Sequence, residues 1–190
     1  MAKSDGKALQ GLMFLVLLGG GWLYFSGRLD HLIEAHQQSA LPADEAAFIS
    51  INQDAKHRWQ DALNDIQREP IPNARNMALC AVPVNVSEWT GHVGRVGTYL
   101  GSNQASLSVA LVPNITLRTE GDLQNKGSKI QRGTRLFDAV SKLAAGQSVT
   151  FSGYFIKGDK TCLQETSLTN SGSLTDPEFQ FVFRDIRPNT

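Results

Sequence analysis

The stretch LFDAVSKLAAGQSVTFSGYFI, residues 136–156, joins the pattern of a short helix to that of a β-strand. Gly146 lies between the two, where a residue that tolerates positive φ commonly ends a helix. Two sets of mainly apolar residues carry the patterns, one sharing a helical face and one alternating with mostly polar neighbours. They are Leu136, Phe137, Val140 and Leu143, then Val149, Phe151, Gly153 and Phe155. One helix between strand-rich runs predicts a small Greek-key barrel.

Further strands are predicted on both sides of this stretch. Residues 89–100 contain three glycines that favour a bend or a bulge, and residues 105–112 alternate cleanly. Residues 115–118 are predicted to form a short, edge-like third strand, and in FQFVFRDI at 179–186 three alternating phenylalanines are expected to face the core. The order β-β-β-α-β-β is that of a five-stranded OB-fold barrel. The predicted class is therefore α+β, mainly β with helices.

These patterns resemble the bacterial OB-fold proteins of the tRNA-anticodon-binding-like group. The resemblance covers about residues 89–186, and its most specific part is the helix, Lys142-Leu143, Gly146 and the following strand. It implies a small exported or membrane-attached protein. It brings no catalytic motif, and the group name records kinship of fold without implying RNA binding. The long connection at 161–178 departs from the compact pattern of the group.

The N-terminal region has the pattern of a membrane anchor. Residues 8–25 are uncharged, and eighteen residues of helix span about 27 Å, close to the thickness of a bilayer core. Lysines precede the run and aromatic residues end it, so we predict a cytoplasmic N-terminus (1–7), a transmembrane anchor (8–27) and a periplasmic remainder in a bacterial inner membrane. A cleaved signal peptide with its core at 8–18, cut near the glycines at 19–21, is the alternative.

Residues 28–75 are predicted to form a helical arm. Its main helix covers residues 42–68, and Pro70 and Pro72 are expected to end it. Apolar residues recur every three or four positions at Phe48, Ile51, Ala55, Trp59, Leu63 and Ile66. This stripe either packs against the chain's own barrel or pairs with a second copy or another subunit.

The remaining domain, residues 76–190, contains both cysteines, Cys80 and Cys162. In an oxidising compartment an isolated pair most simply forms a disulfide. Two buried thiols that never meet are the alternative. A metal site is not expected, because two cysteines and four scattered histidines give no ligand spacing.

Charge argues against a dedicated nucleic-acid binder. Residues 76–190 carry 11 basic and nine acidic side chains, a net charge of +2. A protein that binds nucleic acid mainly through phosphate contacts normally shows a stronger basic surface. Nucleic acid is therefore an unfavoured partner.

Candidate ligand-binding residues follow from where OB-folds bind, on strands two and three and the adjoining loops. Tyrosines with nearby cations form the smallest set that could stack single-stranded nucleic acid. The strand candidates are Arg95, Tyr99, Ser106, Ser108, Arg118, Tyr154 and Lys157. A polar loop adds four cations without an acid among them, Lys126, Lys129, Arg132 and Arg135.

No catalytic constellation and no cofactor motif is present in the sequence. We therefore expect a non-enzymatic, single-pass inner-membrane protein whose periplasmic barrel is a binding or assembly module, with a protein partner or self-association through the arm. The alternative is binding of nucleic acid or another anionic polymer through the barrel face and the 126–135 loop.

Overall fold

The computed structural model describes residues 41–99, 102–119, 128–158, 161–167 and 169–189. The predicted cytoplasmic N-terminus and anchor, 1–27, and the first part of the arm lie outside these residues. Within the described part of the chain, no helix has the length and apolar character needed to cross a membrane. The fold belongs to one compact unit, Pro42–Thr190.

The unit contains strands and helices in the α+β arrangement that the sequence predicts. The strands are β1 Asn85–Thr98, β2 Gln104–Val112, β3 Ile115–Arg118, β4 Ile130–Gln131, β5 Ser148–Phe155 and β6 Glu178–Pro188. The helices are α1 Ala43–Asp61, α2 Asp65–Arg68, α3 Pro70–Leu79, α4 Arg135–Val140 and α5 Asn170–Thr175.

Five of the strands close into a barrel. The second half of β1 pairs with β2 and its first half with β5, both antiparallel. β2 pairs with β3, β5 pairs with β6, and the parallel pairing of β3 with β6 completes the ring. The two-residue β4 adds to the start of β2. A closed five-stranded barrel with this order is compatible with an OB-like fold.

Glycine allows β1 to bend as it passes from one partner strand to the other. A Cβ on Gly91 would lie 2.6 Å from Val109 Cγ1 and 2.7 Å from the Ala110 carbonyl oxygen, so no larger residue fits without movement. The register between β1 and β2 then shifts between Val93 and Arg95. The glycine-rich pattern thus marks a bulge, as the sequence predicts.

The stretch at 136–156 folds nearly as its pattern indicates. The hydroxyl of Thr134 accepts a hydrogen bond from the Phe137 N–H at 3.2 Å and caps α4. The helix ends at Val140, earlier than predicted, and Val140 is its buried residue. Gly146 has a φ of +80° and its N–H donates to the Val93 carbonyl at 2.7 Å, so it directs the chain into β5.

Aromatic residues fill the barrel, and α1 adds one of them. Trp89 and the phenylalanines of β5 and β6 are buried: Phe151, Phe155, Phe179, Phe181 and Phe183. Phe48 from α1 is fully buried among them, with ring centroids 5.4 Å from Trp89, 5.1 Å from Phe155 and 4.9 Å from Phe179. The helical stripe therefore packs, at its start, against the chain's own barrel.

The sequence predicts one continuous helix over residues 42–68, whereas the structure divides this segment into two helices. α1 ends at Asp61, and the residues after it form a turn and the short α2, with Leu63 87% and Ile66 83% exposed. A helix does end before Pro70, since α2 stops at Arg68, but contrary to the prediction Pro70 and Pro72 also form the first turn of a new helix, α3. Proline suits the first turn of a helix, where its missing N–H has no intrahelical role.

The predicted disulfide is confirmed. Cys80, just after α3, is bonded to Cys162, and their Cα atoms are 5.1 Å apart. The two residues are separated by 82 positions, a loop whose closure stabilises the fold by roughly 4 kcal/mol in the chain-entropy model. The bond links the end of α3 to the connection between β5 and β6. We refer to α1, α2 and α3 together as the helical layer.

Candidate binding face

The outer surface of β1, β2 and β3 carries a row of aligned polar residues. Arg95 pairs with Ser108, and Ser108 pairs with Arg118 on its other side. Residues on β2 alternate between buried and partly exposed positions, and Ser108 is on the outer set. Strands lie about 4.8 Å apart, so the Cα atoms of the two arginines are about 10 Å apart across the serine. Two arginine positions therefore flank a serine position across the three strands.

The positions beside this row are glycines and serines, and the Arg95 side chain lies near Gly97, where an added Cβ would be 3.8 Å from Arg95 Nε. Gly97 pairs with Ser106, and a Cβ on Gly97 would lie 3.0 Å from the Ser106 hydroxyl oxygen. A Cβ on Gly94, at the bulge, would lie 2.9 Å from the Ser108 hydroxyl oxygen. We call the surface made by Gly94, Arg95, Gly97, Ser106, Ser108 and Arg118 the arginine face.

The two arginines of this face differ in their surroundings. Arg118 Nη1 donates to Glu178 Oε2 at 2.6 Å, and the Thr166 hydroxyl donates to the same oxygen at 3.0 Å. Both side chains of this ion pair are about two-fifths exposed. Among the described residues, no ion pair involves Arg95, which is exposed. Arg118 is thus oriented by an acid, whereas the charge of Arg95 is not paired among the described residues.

Tyr99, directly after β1, is the aromatic residue of the predicted set that lies near this region. Its hydroxyl is 3.1 Å from the hydroxyl oxygen of Thr119, which follows β3. The Lys129 ammonium lies 4.9 Å from the centre of the Tyr99 ring. The structure therefore brings together one tyrosine and one loop cation of the predicted set.

The rest of the basic loop is only partly within the described residues. Lys126 lies outside them. The Arg132 guanidinium stacks at 5.8 Å from the Phe137 ring centre, and Arg135 is exposed at the first position of α4. Arg132 donates its main-chain N–H to the Asn103 carbonyl at 3.1 Å, which joins the loop to the start of β2.

Tyr154 and Lys157 belong to another part of the barrel. Tyr154, on β5, pairs with Asn85 at the first residue of β1, whereas Tyr99 follows the last. The strand between them has 14 residues, a contour length of about 46 Å at strand rise. Arg184 already covers the Tyr154 ring at 4.8 Å, and Lys157 is exposed beyond the end of β5. The two tyrosines do not form one stacking platform.

Glu45 is a buried acid that the sequence analysis did not single out as a site residue. Its exposed fraction is 1%, and its carboxylate oxygens accept hydrogen bonds from the Thr90 N–H at 3.1 and 3.0 Å. Burial raises the pKa of Glu45 to about 7, and the Thr90 hydrogen bonds oppose this only in part. The shift from 4.5 corresponds to roughly 3 kcal/mol of destabilisation of the charged form. Glu45 lies three residues before Phe48 and so on the same helical face, and this spacing could have indicated from the sequence that Glu45 is buried.

Arg75 forms a second buried polar group, on α3. Its Nε donates to Asn52 Oδ1 at 2.8 Å and its Nη1 to Glu165 Oε1 at 2.6 Å, while its guanidinium lies 5.3 Å from the Phe179 ring centre. Asn52 in turn donates to the Phe48 carbonyl at 2.8 Å. The network joins α1, α3 and the connection before β6, so we assign it an architectural role.

No group of three or more His, Cys, Asp or Glu that could hold a metal ion occurs in the described ranges. Comparison with models of known families, with curated proteins and with solved structures finds no match to this chain. The geometry of the site is therefore the basis for any proposal on function.

Proposed function

We propose that this protein is a non-enzymatic binding module built on an OB-fold of the tRNA-anticodon-binding-like kind. The observation that carries the proposal is the arginine face, where Arg95 and Arg118 flank Ser108 above glycine and serine positions. Its ligand is an extended anionic chain, either an acidic segment of a partner protein or an anionic polymer. Arg95, which forms no ion pair among the described residues, would attract the negative charges of such a chain.

The test uses the purified full chain and two labelled probes, poly-L-glutamate and a single-stranded oligothymidylate. We expect binding at low ionic strength that weakens as salt is added. Arg95→Gln should lower the affinity about fivefold, because an exposed charge contact contributes about 1 kcal/mol. Lys56→Gln removes the same charge from α1 and should leave binding unchanged. The proposal would be refuted if neither probe bound at low salt.

The two probes also separate the possible ligands. A nucleic-acid ligand requires tighter binding of the oligonucleotide, with a salt slope that falls by about one when a phosphate contact is removed. An acidic protein partner requires that poly-L-glutamate binds at least as well. The net charge of +2 over residues 76–190 favours the second outcome.

We further propose that the module is exported and held at the bacterial inner membrane by residues 8–27. The disulfide between Cys80 and Cys162 supports an oxidising compartment such as the periplasm. A reporter fused after Thr190 that is active only in the cytoplasm would contradict this placement. The mass of the mature chain distinguishes an uncleaved anchor from a removed signal peptide.

Assembly through the helical layer is a second proposed role, favoured by one observation. Leu63 and Ile66, the two most exposed large apolar side chains of the described residues, lie together in the segment between α1 and α3. A contiguous exposed apolar patch commonly marks a contact site, and we propose that these two side chains belong to one. Light scattering of the full chain and of the Leu63→Ser, Ile66→Ser double variant tests self-association. Identical monomer masses would exclude it.

A further inference from the structure

Glu45 is hydrogen-bonded to Thr90, which pairs with Thr150 of β5 but, among the described residues, with no strand on the other side of β1. β1 pairs with β2 only from His92 onwards, so Thr90 lies beyond that pairing. There the carboxylate of Glu45 accepts the Thr90 N–H, and the Thr90 hydroxyl donates to Oε1 at 3.3 Å. The side chain of a helix thus takes the role of a strand carbonyl. This contact fastens the first turn of α1 to the barrel.

Among the described residues no cation compensates the ionised form of Glu45, and the Thr90 hydrogen bonds offset its burial only in part. Among the described residues, the charged group that acts on it is Asp44, its neighbour on α1, which is also acidic. On β1 the flanking titratable residues are Glu88, which is paired with Arg187, and His92, and both are exposed. From β1, Glu45 therefore receives the hydrogen bonds of Thr90 and no cation. A buried carboxylate in such surroundings is destabilised when it ionises.

We propose that Glu45 is a pH-dependent latch, which holds the start of α1 on the barrel when its carboxyl is protonated and loosens it when the carboxyl is charged. A protonated carboxyl keeps one oxygen to accept the Thr90 N–H, and its O–H donates to the Thr90 hydroxyl oxygen. Phe48 lies one turn further along α1 and contacts Trp89. Loosening of this turn would admit water to the aromatic end of the core.

The expected size of the effect follows from linkage between proton binding and opening. In the closed form burial raises the pKa of Glu45 to about 7, whereas an open form exposes the carboxyl and restores the ordinary 4.5. Opening should therefore become about 70-fold more frequent between pH 5 and pH 8. Most of this increase in opening occurs below pH 7. Above pH 7 the Glu45 carboxyl is ionised in both the open and the closed form, so opening changes little with pH.

Hydrogen–deuterium exchange on the full chain measures this opening. Protection of α1 and of the Thr90 amide, corrected for the intrinsic exchange rate, should fall by that factor from pH 5 to pH 8. Glu45→Gln keeps an acceptor for Thr90 and cannot ionise, so its protection should be independent of pH. Asp44→Asn removes the adjacent charge and should keep most of the pH dependence.

Two results would overturn the latch. One is a pH dependence of α1 protection that is the same in the wild-type chain and in Glu45→Gln. The other, which does not require that the variant folds, is a carboxyl carbon resonance of Glu45 that titrates near 4.5 in the wild-type chain. Titration near 7 together with a pH-independent Glu45→Gln would establish it.

Discussion

Arg75 on α3 donates a 2.6 Å hydrogen bond to Glu165, 90 residues further along the chain, and this buried ion pair joins the helical layer to the connection before β6. The same connection carries Cys162, which is bonded to Cys80 at the end of α3. One ion pair and one covalent bond therefore secure the same contact. Their contributions can be separated by mutation and by reduction.

Removal of Arg75 should destabilise the protein strongly. Arg75→Ala leaves Glu165 buried without its cation, and breaking a buried pair in this way costs about 3–5 kcal/mol. Burial already raises the pKa of Glu165, with Arg75 offsetting part of the effect, so the variant should hold a proton on Glu165 at higher pH. Urea denaturation at pH 7.5 measures the loss. Arg58→Ala, which removes an exposed i,i+4 pair with Asp54, should change stability by less than about 0.5 kcal/mol.

Reduction of the disulfide should lower stability without unfolding the barrel at room temperature. The model of loop closure gives roughly 4 kcal/mol for a loop of this length. The Cys80→Ser, Cys162→Ser double variant should therefore show a lower urea midpoint that no longer responds to dithiothreitol. A wild-type midpoint that is unchanged by the reductant, with thiols shown to be free, would contradict this expectation.

Stability should fall as the pH rises from about 4.5 to about 7, because of Glu45. Its pKa is higher in the folded chain than in the unfolded chain, so the folded state binds more protons in this window, and ionisation then costs roughly 3 kcal/mol. Arg187 lowers the pKa of Glu88, which acts in the opposite direction and mainly below pH 4.5. Glu45→Gln should raise the free energy of unfolding at pH 8 and make its pH profile shallower, leaving the part that comes from Glu165, whose pKa burial also raises. If the free energy of unfolding changed equally with pH in the wild-type chain and in Glu45→Gln, this prediction would be contradicted.

Much of the barrel is readable from the sequence because its strands alternate with period two. Residues 149–155 show this directly, since Val149, Phe151 and Phe155 are buried and the residues between them are partly exposed. The disulfide also follows from composition, since a chain with two cysteines has one intramolecular pairing. In such elements local pattern and tertiary environment agree.

The helical layer and the site were less predictable, for physical reasons. The apolar residues keep their helical spacing through Leu63 and Ile66, which predicts that α1 continues to that point. Instead α1 ends at Asp61. Asn64 then caps a new helix by accepting a hydrogen bond from the Gln67 N–H at 3.1 Å. Local capping outweighed the apolar pattern. The alignment of Arg95 with Arg118 depends on the bulge in β1, and one residue of register moves a side chain to the other face. The sequence spacing of the two arginines therefore does not reveal which residues face each other across the strands.

Two glycines of β1 should respond differently to the same substitution. Gly91→Ala places a methyl group 2.6 Å from Val109 Cγ1 and 2.7 Å from a main-chain oxygen, so the strands must separate, at a cost of about 1–3 kcal/mol. Gly97→Ala meets the Ser106 hydroxyl oxygen at 3.0 Å, and a serine side chain can rotate away. Thermal unfolding should show a loss for the first variant and little change for the second. Because Gly97 lies on the arginine face, its variant should also weaken binding of the anionic probe while the fold stays intact. A stable Gly97→Ala chain with unchanged affinity would place the ligand elsewhere on the barrel.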